Sequence, residues 1–238
     1  MIFDRNEKKE VIALLGAGSM GTAIVRRIAA GRKVLLGDIS EQNLEKVSHD
    51  FQYSGYDVET MIVNALEKDS TQAFAEKAAS LGDVMYFIDT AGASPHQTNP
   101  AHILELDMVG TGYAIDAFGK VMAKGGAGII VSSQTGYMYP IPYEEEQKIL
   151  NTPTEQLMDL PFIKETAMQN SGLAYMIAKR INQLQAMKAA ATTWKECRAR
   201  INTISPGIIV TPLAYDEFKA AGDNYQKMID ASDRKSVV

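Results

Sequence analysis

A tyrosine and a lysine stand four residues apart in the string YMIAK, and together they have the chemistry of proton transfer. A helix is predicted over about Ser171–Ala190, and within it Tyr175 and Lys179 project from the same face. That face points away from the apolar stripe that begins at Leu173, so core packing does not explain the pair. The alternative is a solvent-exposed surface pair, which the spacing alone favours.

A glycine-rich turn near the start of the chain has the spacing of a phosphate-binding loop. The string GAGSMG, Gly16–Gly21, follows a strand predicted over Val11–Leu15 and opens a helix that extends to about Gly31. Free N–H groups and the positive end of the helix dipole at such a turn can hold a pyrophosphate. The alternative is a strand-to-helix turn that the glycines only tighten.

An acidic residue at the end of the second predicted strand bears on the choice of dinucleotide. Asp38 lies 20 residues beyond Gly18, the position from which a carboxylate can hydrogen-bond an adenosine ribose. A 2′-phosphate there would meet a like charge, and the glycine turn contains no Arg or Lys to offset it. The pattern therefore favours NAD and disfavours NADP. In the alternative interpretation, Asp38 only caps a turn.

Predicted strands and helices alternate along the chain. In chain order the strands are Val11–Leu15, Lys33–Leu36, Thr60–Val63, Val84–Ile88, Ile129–Val131 and Arg200–Ile204. The remaining helices are Ser40–Asp50, one that is capped by Asp69 or Ser70 and ends near Leu81, and one from Asn99 and Pro100 to about Met122. This order predicts an α/β protein with a Rossmann-type, doubly wound parallel sheet in three layers, formed as a single domain over residues 1–238.

Composition and charge exclude several classes of function. The 238 residues are 46% hydrophobic and 22% charged, with a formal net charge of -5. A net negative charge gives no electrostatic attraction for a polyanion, so we do not expect nucleic acid as a partner. No apolar run approaches the roughly 18 to 20 residues that a bilayer span needs, and we expect no membrane span and no signal peptide. A single cysteine, Cys197, excludes a disulfide within the chain and predicts a cytoplasmic location. The three histidines lack metal-ligand spacing, so we expect no metal site.

Three further motifs follow the fourth, fifth and sixth predicted strands. They are DTAG at Asp89–Gly92, SSQTG at Ser132–Gly136 and SPGIIVTP at Ser205–Pro212. With the glycine turn and YMIAK, in this order and on these elements, they make the sequence similar to the short-chain dehydrogenase/reductase family. The resemblance runs from about Glu10 to Pro212.

The resemblance implies NAD(H)-dependent interconversion of a secondary alcohol and a ketone. In this family's chemistry Tyr175 is the general acid that protonates the carbonyl oxygen, or the base in the reverse direction. Lys179 holds the nicotinamide ribose and lowers the tyrosine pKa from about 10 toward working pH. Ser133 hydrogen-bonds the substrate oxygen as charge develops on it, and Ser132 supports the strand.

The resemblance also implies a set of cofactor-binding residues, a small-molecule alcohol or ketone as the partner, and a homodimer or homotetramer. The backbone after strand four packs along the cofactor, the segment after strand six reaches the nicotinamide carboxamide, and two residues after strand three contact the adenine. At the first of those two positions the family usually has Asp in place of asparagine. The implied cofactor residues are Gly16, Gly18, Ser19, Met20, Gly21, Asp38, Asn64, Ala65, Thr90, Ala91, Gly92, Tyr175, Lys179, Pro206, Gly207, Ile209 and Thr211.

The sequence departs from the family pattern at one active-site position. Asp107 stands where the family has an asparagine that helps to hold a water linking Lys179 to solvent, and Gly110 follows three residues later as expected. A carboxylate at this position favours the charged lysine. Asp107 is therefore a catalytic candidate, and we hypothesise a retained but altered proton relay.

The segment between Ser133 and Tyr175 is longer than the family's usual loop. The extra residues, Met138–Asn170, include prolines, aromatic residues and an acidic run, Glu144–Glu146, that we interpret as a solvated surface. A related insertion occurs in the family's 3α-hydroxysteroid dehydrogenase-like branch, which implies a lid over a bulky apolar alcohol or ketone. A surface or dimer-contact segment with no part in substrate choice is the alternative.

The C-terminal part is short for the family. After Pro212 there is room only for short helices such as Ala214–Ala221 and Tyr225–Ala231, so the sixth strand is expected at a sheet edge. This feature and Asp107 motivate a second functional hypothesis, a catalytically impaired nucleotide-sensing or regulatory protein. The intact set of serine, tyrosine and lysine argues against it.

Overall fold

Strands and helices alternate as the hydrophobic pattern predicts. The computed structural model describes residues 9–211 and Asp230, and the helices predicted after Pro212 lie outside the described residues except for Asp230. Two compact units form, each assembled from separate stretches of chain. The first unit contains the described residues up to Ala91 with Tyr113–Ile129 and Ala189–Asn202, and the second contains Gly92–Gly112, Ile130–Lys188 and the described residues from Thr203 on.

Within the described residues, six strands form one sheet in the order β3-β2-β1-β4-β5-β6. The strands are β1 Glu10–Leu15, β2 Lys33–Asp38, β3 Asp57–Ile62, β4 Asp83–Asp89, β5 Met122–Val131 and β6 Arg200–Ile204. β1 pairs in parallel with both β2 and β4, and β2 pairs in parallel with β3. The chain moves from β1 outward to β3 and then returns to the other side of β1. This topology confirms the predicted Rossmann-type, doubly wound α/β sheet.

Helices connect the strands, and a π-helical segment, Glu105–Gly110, joins the fourth α-helix to the fifth. The described α-helices are α1 Ser19–Ile28, α2 Glu41–Tyr53, α3 Lys68–Leu81, α4 Pro100–Leu104, α5 Thr111–Phe118, α6 Tyr143–Asn151, α7 Pro161–Glu165, α8 Ser171–Ala191 and α9 Thr193–Glu196. In the described ranges, no helix has the length and apolar character that a membrane span requires.

Helices of the first unit cover both faces of its sheet. Val25 of α1 and Phe51 of α2 belong to the same buried cluster as Ile12 of β1. Phe118 of α5 stacks on Phe87 of β4 with 3.7 Å between ring centroids. Side chains alternate along a strand, so these two clusters cover opposite faces of the sheet and give the three layers that the sequence predicts.

Several boundaries differ from the prediction. α2 extends to Tyr53 rather than Asp50, and β3 spans Asp57–Ile62 rather than Thr60–Val63. α3 begins at Lys68, one residue before the predicted cap at Asp69 or Ser70. Ser70 does not cap the helix but stabilises the preceding turn, because its hydroxyl oxygen accepts a hydrogen bond from the backbone N–H of Asn64. The helix predicted to reach Met122 ends at Phe118 with α5, and β5 begins at Met122. The prediction missed the start of β5 because its glycines have low strand propensity.

Candidate active site

The glycine turn lies between β1 and α1 in the first unit, and its three glycines have different roles. Gly16 adopts a φ of +83°, and a Cβ there would lie 2.6 Å from the backbone nitrogen of Ala91. Around Gly18, no heavy atom of the described residues comes within 4 Å of a built Cβ, so a ligand can approach this backbone closely. At Gly21 a Cβ would lie 2.6 Å from Cδ1 of Leu14, so the glycine lets α1 pack against the sheet.

The start of α1 presents backbone donors beside the turn. Ser19 and Met20 open the helix directly after Gly18, which has no side chain to cap it, and the first turn contains no acidic residue. Ser19 is exposed and Met20 is half-buried. Unbonded N–H groups and the helix dipole at this end favour an anion, as a phosphate-binding turn requires.

Asp38 ends β2 and its carboxylate contacts the glycine turn. Oδ2 accepts from the backbone N–H of Ala17 at 2.9 Å and from the side-chain amide of Asn43 at 3.0 Å. Oδ1 accepts from the backbone N–H of Ser40 at 2.9 Å. The carboxylate is therefore held in one orientation before any ligand binds.

The residues after β4 also lie against the glycine turn. The Thr90 hydroxyl donates to the carbonyl oxygen of Gly16 at 2.6 Å, and the backbone N–H of Ala91 donates to the Asp89 carboxylate at 3.0 Å. Both contacts lie in the first unit. They fix the backbone that the resemblance assigns to the cofactor.

Asn64 and Ala65 form the turn between β3 and α3. The Asn64 amide donates to the Glu67 carboxylate at 2.8 Å, and its Oδ1 accepts from the backbone N–H of Leu66 at 3.1 Å. Ala65 is buried. The side chain of Asn64 therefore stabilises its own turn, and its contact with an adenine stays a prediction.

Tyr175 and Lys179 lie on α8 in the second unit. The Lys179 side chain is only 6% exposed, and its Nζ lies 5.3 Å from the centroid of the half-buried Tyr175 ring. Lys179 is therefore not part of a solvent-exposed surface pair. A buried ammonium is costly unless an opposite charge accompanies it.

Asp107 supplies that opposite charge. Its carboxylate is completely buried, and Oδ2 lies 3.1 Å from Nζ of Lys179. Oδ1 accepts from the backbone N–H of Ala93 at 2.8 Å. Burial raises the pKa of the Asp107 carboxyl above its ordinary value, and the Lys179 ammonium opposes that rise. The departure from the family's asparagine thus produces a buried ion pair.

The π-helical segment leaves the Asp107 carbonyl in contact with α8. The side-chain amide of Asn182, which is fully buried, donates to this carbonyl oxygen. Asn182 lies three residues after Lys179, less than one helical turn away. The backbone and the carboxylate of Asp107 are therefore both bonded to the same helix. This role of Asn182 was missed from sequence, where its spacing from Lys179 was the available signal.

The two serines after β5 have separate contacts. Ser133 Oγ accepts from the backbone N–H of Thr135 at 3.2 Å and from its hydroxyl at 3.0 Å, an arrangement in which the serine's own hydrogen can be donated elsewhere. Ser132 donates to the Lys179 carbonyl at 2.7 Å, so it contacts the helix rather than only supporting the strand. A Cβ on Gly136 would lie 3.0 Å from the backbone nitrogen of Arg180, so the backbone after Ser133 runs close to α8.

The segment after β6 lies beside the residue that follows Ser133. The backbone N–H of Gln134 donates to the Pro206 carbonyl at 3.0 Å, and a Cβ built on Gly207 would lie 3.1 Å from Oε1 of Gln134. Ile209 and Thr211, which follow, are half-buried. In the part of the chain that the structure describes, no group of three or more His, Cys, Asp or Glu side chains could hold a metal.

The similarity to known proteins agrees with this arrangement. The chain is 37% identical over 215 residues to the short-chain dehydrogenase/reductase bsc3 of Alternaria brassicicola, covering 90% of this chain and 78% of that protein. The chain belongs to the short-chain dehydrogenase/reductase family. As a family member it is an oxidoreductase that depends on NAD(P), which confirms the predicted enzyme class.

This short-chain dehydrogenase/reductase is also similar, at lower identity, to a second curated protein and to a solved structure. It is 24% identical to a 7alpha-hydroxysteroid dehydrogenase of Bacteroides fragilis, covering 89% of this chain and 75% of the relative. A solved structure of a variant actinorhodin polyketide ketoreductase with NADPH shares the fold with a TM-score of 0.68 at 15% identity, covering 91% of this chain and 77% of that one. No family model matches the chain.

Breaking the pair between Lys179 and Asp107 tests its contribution to stability. In Lys179→Met the Asp107 carboxylate is buried without its ammonium, so we expect the free energy of unfolding at neutral pH to fall by about 3 kcal/mol. Removing the cation raises the carboxyl pKa in the folded state further, so the folded state binds a proton that the unfolded state lacks. The loss therefore shrinks as the pH is lowered to about 5, and urea unfolding at both pH values measures it.

Two further variants complete this test. Lys179→Met/Asp107→Asn buries no charge and should recover most of the lost stability. Lys188→Met removes an exposed ammonium of the same helix, one that bonds the Leu150 carbonyl, and should cost less than about 1 kcal/mol. Equal losses at both pH values in the single and double variants would show that the two charges do not stabilise each other.

Proposed function

We propose that this enzyme interconverts a secondary alcohol and a ketone with NAD(H), without a metal, and that Tyr175 is the acid and base. The observation that carries the proposal is the buried Lys179 ammonium, which lies 5.3 Å from the centroid of the Tyr175 ring and 3.1 Å from Asp107. A fixed positive charge beside a phenol favours the phenolate that proton transfer leaves behind.

The glycine turn, the start of α1 and Asp38, all in the first unit, suit the binding of a dinucleotide. The open space at Gly18 and the uncapped start of α1 suit the pyrophosphate, and the Asp38 carboxylate suits the adenosine ribose. Asn64 and Ala65 are proposed at the adenine. The remaining proposed cofactor contacts are the backbone of Thr90, Ala91 and Gly92, the ribose contacts of Tyr175 and Lys179, and the carboxamide contacts of Pro206, Gly207, Ile209 and Thr211.

Side chains of the second unit carry out the proposed proton transfer. The hydride that reduces the carbonyl carbon would be supplied by NADH when it is bound. The Ser133 hydroxyl donates a hydrogen bond to the carbonyl oxygen as negative charge develops on it. Tyr175 then gives its phenol proton to this oxygen, and the Lys179 ammonium stabilises the resulting phenolate. The alcohol oxidation runs through the same groups in reverse.

Removing the phenol hydroxyl tests the role of Tyr175. In Tyr175→Phe the ring remains but the acidic proton is lost, so we expect kcat to fall by at least about 100-fold. The Kd for NADH should rise by only about three-fold, because the variant loses the one proposed ribose contact of Tyr175 while the proposed cofactor contacts of the first unit stay intact. NADH absorbance with a panel of secondary ketones measures the first quantity, and NADH fluorescence measures the second.

Tyr53→Phe is the matched control. Tyr53 is 89% exposed at the end of α2, so this variant should leave kcat unchanged. An unchanged kcat in Tyr175→Phe would contradict the proposed acid. Tight NADH binding by the native protein without turnover of any ketone would favour the nucleotide-sensing or regulatory alternative.

We also propose that Asp107 takes over part of the proton relay. The Asp107 carbonyl is bonded to Asn182, whereas the carboxylate contacts Lys179 directly. A proton leaving Lys179 therefore reaches the carboxylate first. In this enzyme the side chain at position 107 performs the step that the family's asparagine performs through a bound water.

The pH dependence of turnover tests this relay. Asp107→Asn keeps the side-chain size but removes the negative charge beside Lys179, so the ammonium acts on the Tyr175 phenol without compensation. We expect the ionisation in the pH profile of kcat to move to lower pH. Profiles of the native enzyme and Asp107→Asn that superimpose would exclude a special role for the carboxylate.

The insertion Met138–Asn170 is proposed to contribute to the binding of a bulky apolar substrate. Its helix α6 is fixed to α8, because Arg180 donates to the Glu146 carboxylate at 2.8 Å and Lys188 donates to the Leu150 carbonyl at 2.6 Å. Glu146 is thus an ion-pair partner, and the prediction that the acidic run is only a solvated surface was wrong for this residue.

Exposed apolar side chains lie just before α6 in the chain and at its first residue. Tyr137 is 67% exposed, Met138 is 56% exposed and Tyr143 is 74% exposed, and the first follows Ser133 by four residues. Such side chains are available to contact an apolar ketone while α6 stays anchored. A surface segment with no part in substrate choice remains the second interpretation of the same residues.

Substrate size separates these two interpretations. In Tyr137→Ala/Met138→Ala we expect the KM for a bulky apolar ketone to rise about five-fold or more, with the KM for a small ketone unchanged. These positions are preferable to deletion of the insertion, which would remove the buried Ile149 and Leu157. Tyr53→Ala, at an exposed position in the first unit, is the control. A KM that is unchanged for every ketone would remove the substrate role.

A further inference from the structure

We infer that Asn43 is a specificity-determining positioning residue, which fixes the Asp38 carboxylate so that it accepts a ribose hydroxyl and repels a 2′-phosphate. The inference rests on the proposed function, in which Asp38 faces the adenosine ribose. It adds a residue that none of the sequence motifs contains. All of the contacts involved lie in the first unit.

Asn43 joins three separate stretches of chain through one side-chain amide. Its Nδ2 donates to the Ala17 carbonyl at 3.1 Å and to Asp38 Oδ2 at 3.0 Å. The same Oδ2 accepts from the backbone N–H of Ala17 at 2.9 Å. Asn43, Asp38 and Ala17 thus form a closed ring of hydrogen bonds between the first turn of α2, the end of β2 and the glycine turn.

The start of α2 explains why Asn43 can make these contacts. Ser40 caps the helix, and its Oγ accepts from the backbone N–H of Asn43 at 3.2 Å. In a capping box the side chain of the third helical residue would reach back to the N–H of the cap residue. Here the Ser40 N–H already donates to Asp38 Oδ1 at 2.9 Å. The Asn43 side chain is therefore directed to the glycine turn instead.

The carboxylate orientation that results suits a hydroxyl donor. Oδ2 is engaged by two donors and Oδ1 by one among the described residues, which leaves acceptor capacity on Oδ1. A ribose 2′-hydroxyl has a hydrogen to donate to it. Because the acceptor is already oriented, binding does not need to immobilise the Asp38 side chain.

The same orientation disfavours a phosphate. A 2′-phosphate brings negative charge toward Asp38, and an unrestrained carboxylate could rotate away from it. Asn43 and Ala17 prevent that rotation by holding Oδ2. The amide therefore contributes to specificity by keeping a repulsive group in place, in addition to the attraction of the hydroxyl.

Dinucleotide binding to Asn43→Ala tests the inference. We expect the Kd for NADH to rise about ten-fold, as for the loss of one hydrogen bond to a charged group, while the Kd for NADPH stays the same or falls. The ratio of the two Kd values should therefore change by about ten-fold or more, with kcat at saturating NADH unchanged. Fluorescence titrations measure both Kd values, and thermal unfolding without cofactor measures stability.

Two other variants sharpen the result. Asn43→Asp has nearly the same shape but loses the donor and places a second negative charge beside Asp38, so it should weaken the binding of both dinucleotides. Gln42→Ala changes an exposed neighbour in the same helical turn and should alter neither Kd. Parallel changes of both Kd values in Asn43→Ala, or a lower unfolding temperature with an unchanged ratio, would overturn the inference in favour of a purely structural role.

Asp38→Ser separates this inference from the proposed function. If Asp38→Ser lowers the preference for NADH and Asn43→Ala leaves the ratio unchanged, only the inference about Asn43 fails. If the native enzyme prefers NADPH, or if Asp38→Ser leaves the preference unchanged, the proposed role of Asp38 fails and the inference fails with it. A reduced preference in both variants supports both.

Discussion

The buried ion pair between Lys179 and Asp107 is the interaction on which the second unit's site depends. Both groups are withdrawn from water, which costs more free energy than their attraction returns unless further hydrogen bonds hold them. The backbone N–H of Ala93 donates such a bond to the Asp107 carboxylate, and the Asn182 amide holds the backbone carbonyl of the same residue. A buried pair is weak evidence for stability, and this one places the Lys179 ammonium 5.3 Å from the centroid of the Tyr175 ring, where the proposed acid needs a positive charge.

In the first unit, hydrogen bonds likewise hold a charged group, the Asp38 carboxylate, in one orientation. Gly18 leaves the start of α1 without a side-chain cap, and the contacts of Asp38 orient an acceptor at the same glycine turn. In each unit the candidate site residues are held by hydrogen bonds within that unit. Such preorganisation spares the reaction the free energy of ordering these groups. It connects the strand-turn-helix pattern of the sequence directly to dinucleotide chemistry.

Sequence reasoning was successful where a local pattern has one structural solution and failed where the partner is remote. Short apolar runs that end in glycine or aspartate and alternate with helical patterns predicted the sheet, because run length and turn residues separate strands from buried helices. The π-helical segment around Asp107 has no comparable signature, so the three-residue spacing of Asn182 from Lys179 was the only sequence signal of its bond to Asp107. Glu146 belongs to an acidic run typical of a solvated surface, and only the packing of α6 shows that Arg180 is its partner. The start of β5 was hidden because its glycines have low strand propensity.

The ionisation of the Asp107 carboxyl tests the central claim most directly. Its side-chain ¹³C resonance, assigned by comparison with Asp107→Asn, can be followed as a function of pH in the native enzyme. Because burial raises the pKa and Lys179 opposes the rise, we expect a titration midpoint above the ordinary value of 3.8 and an ionised carboxylate at neutral pH. A midpoint at or below that value would show that the Lys179 charge outweighs burial, whereas a carboxyl already protonated at neutral pH would contradict the buried ion pair.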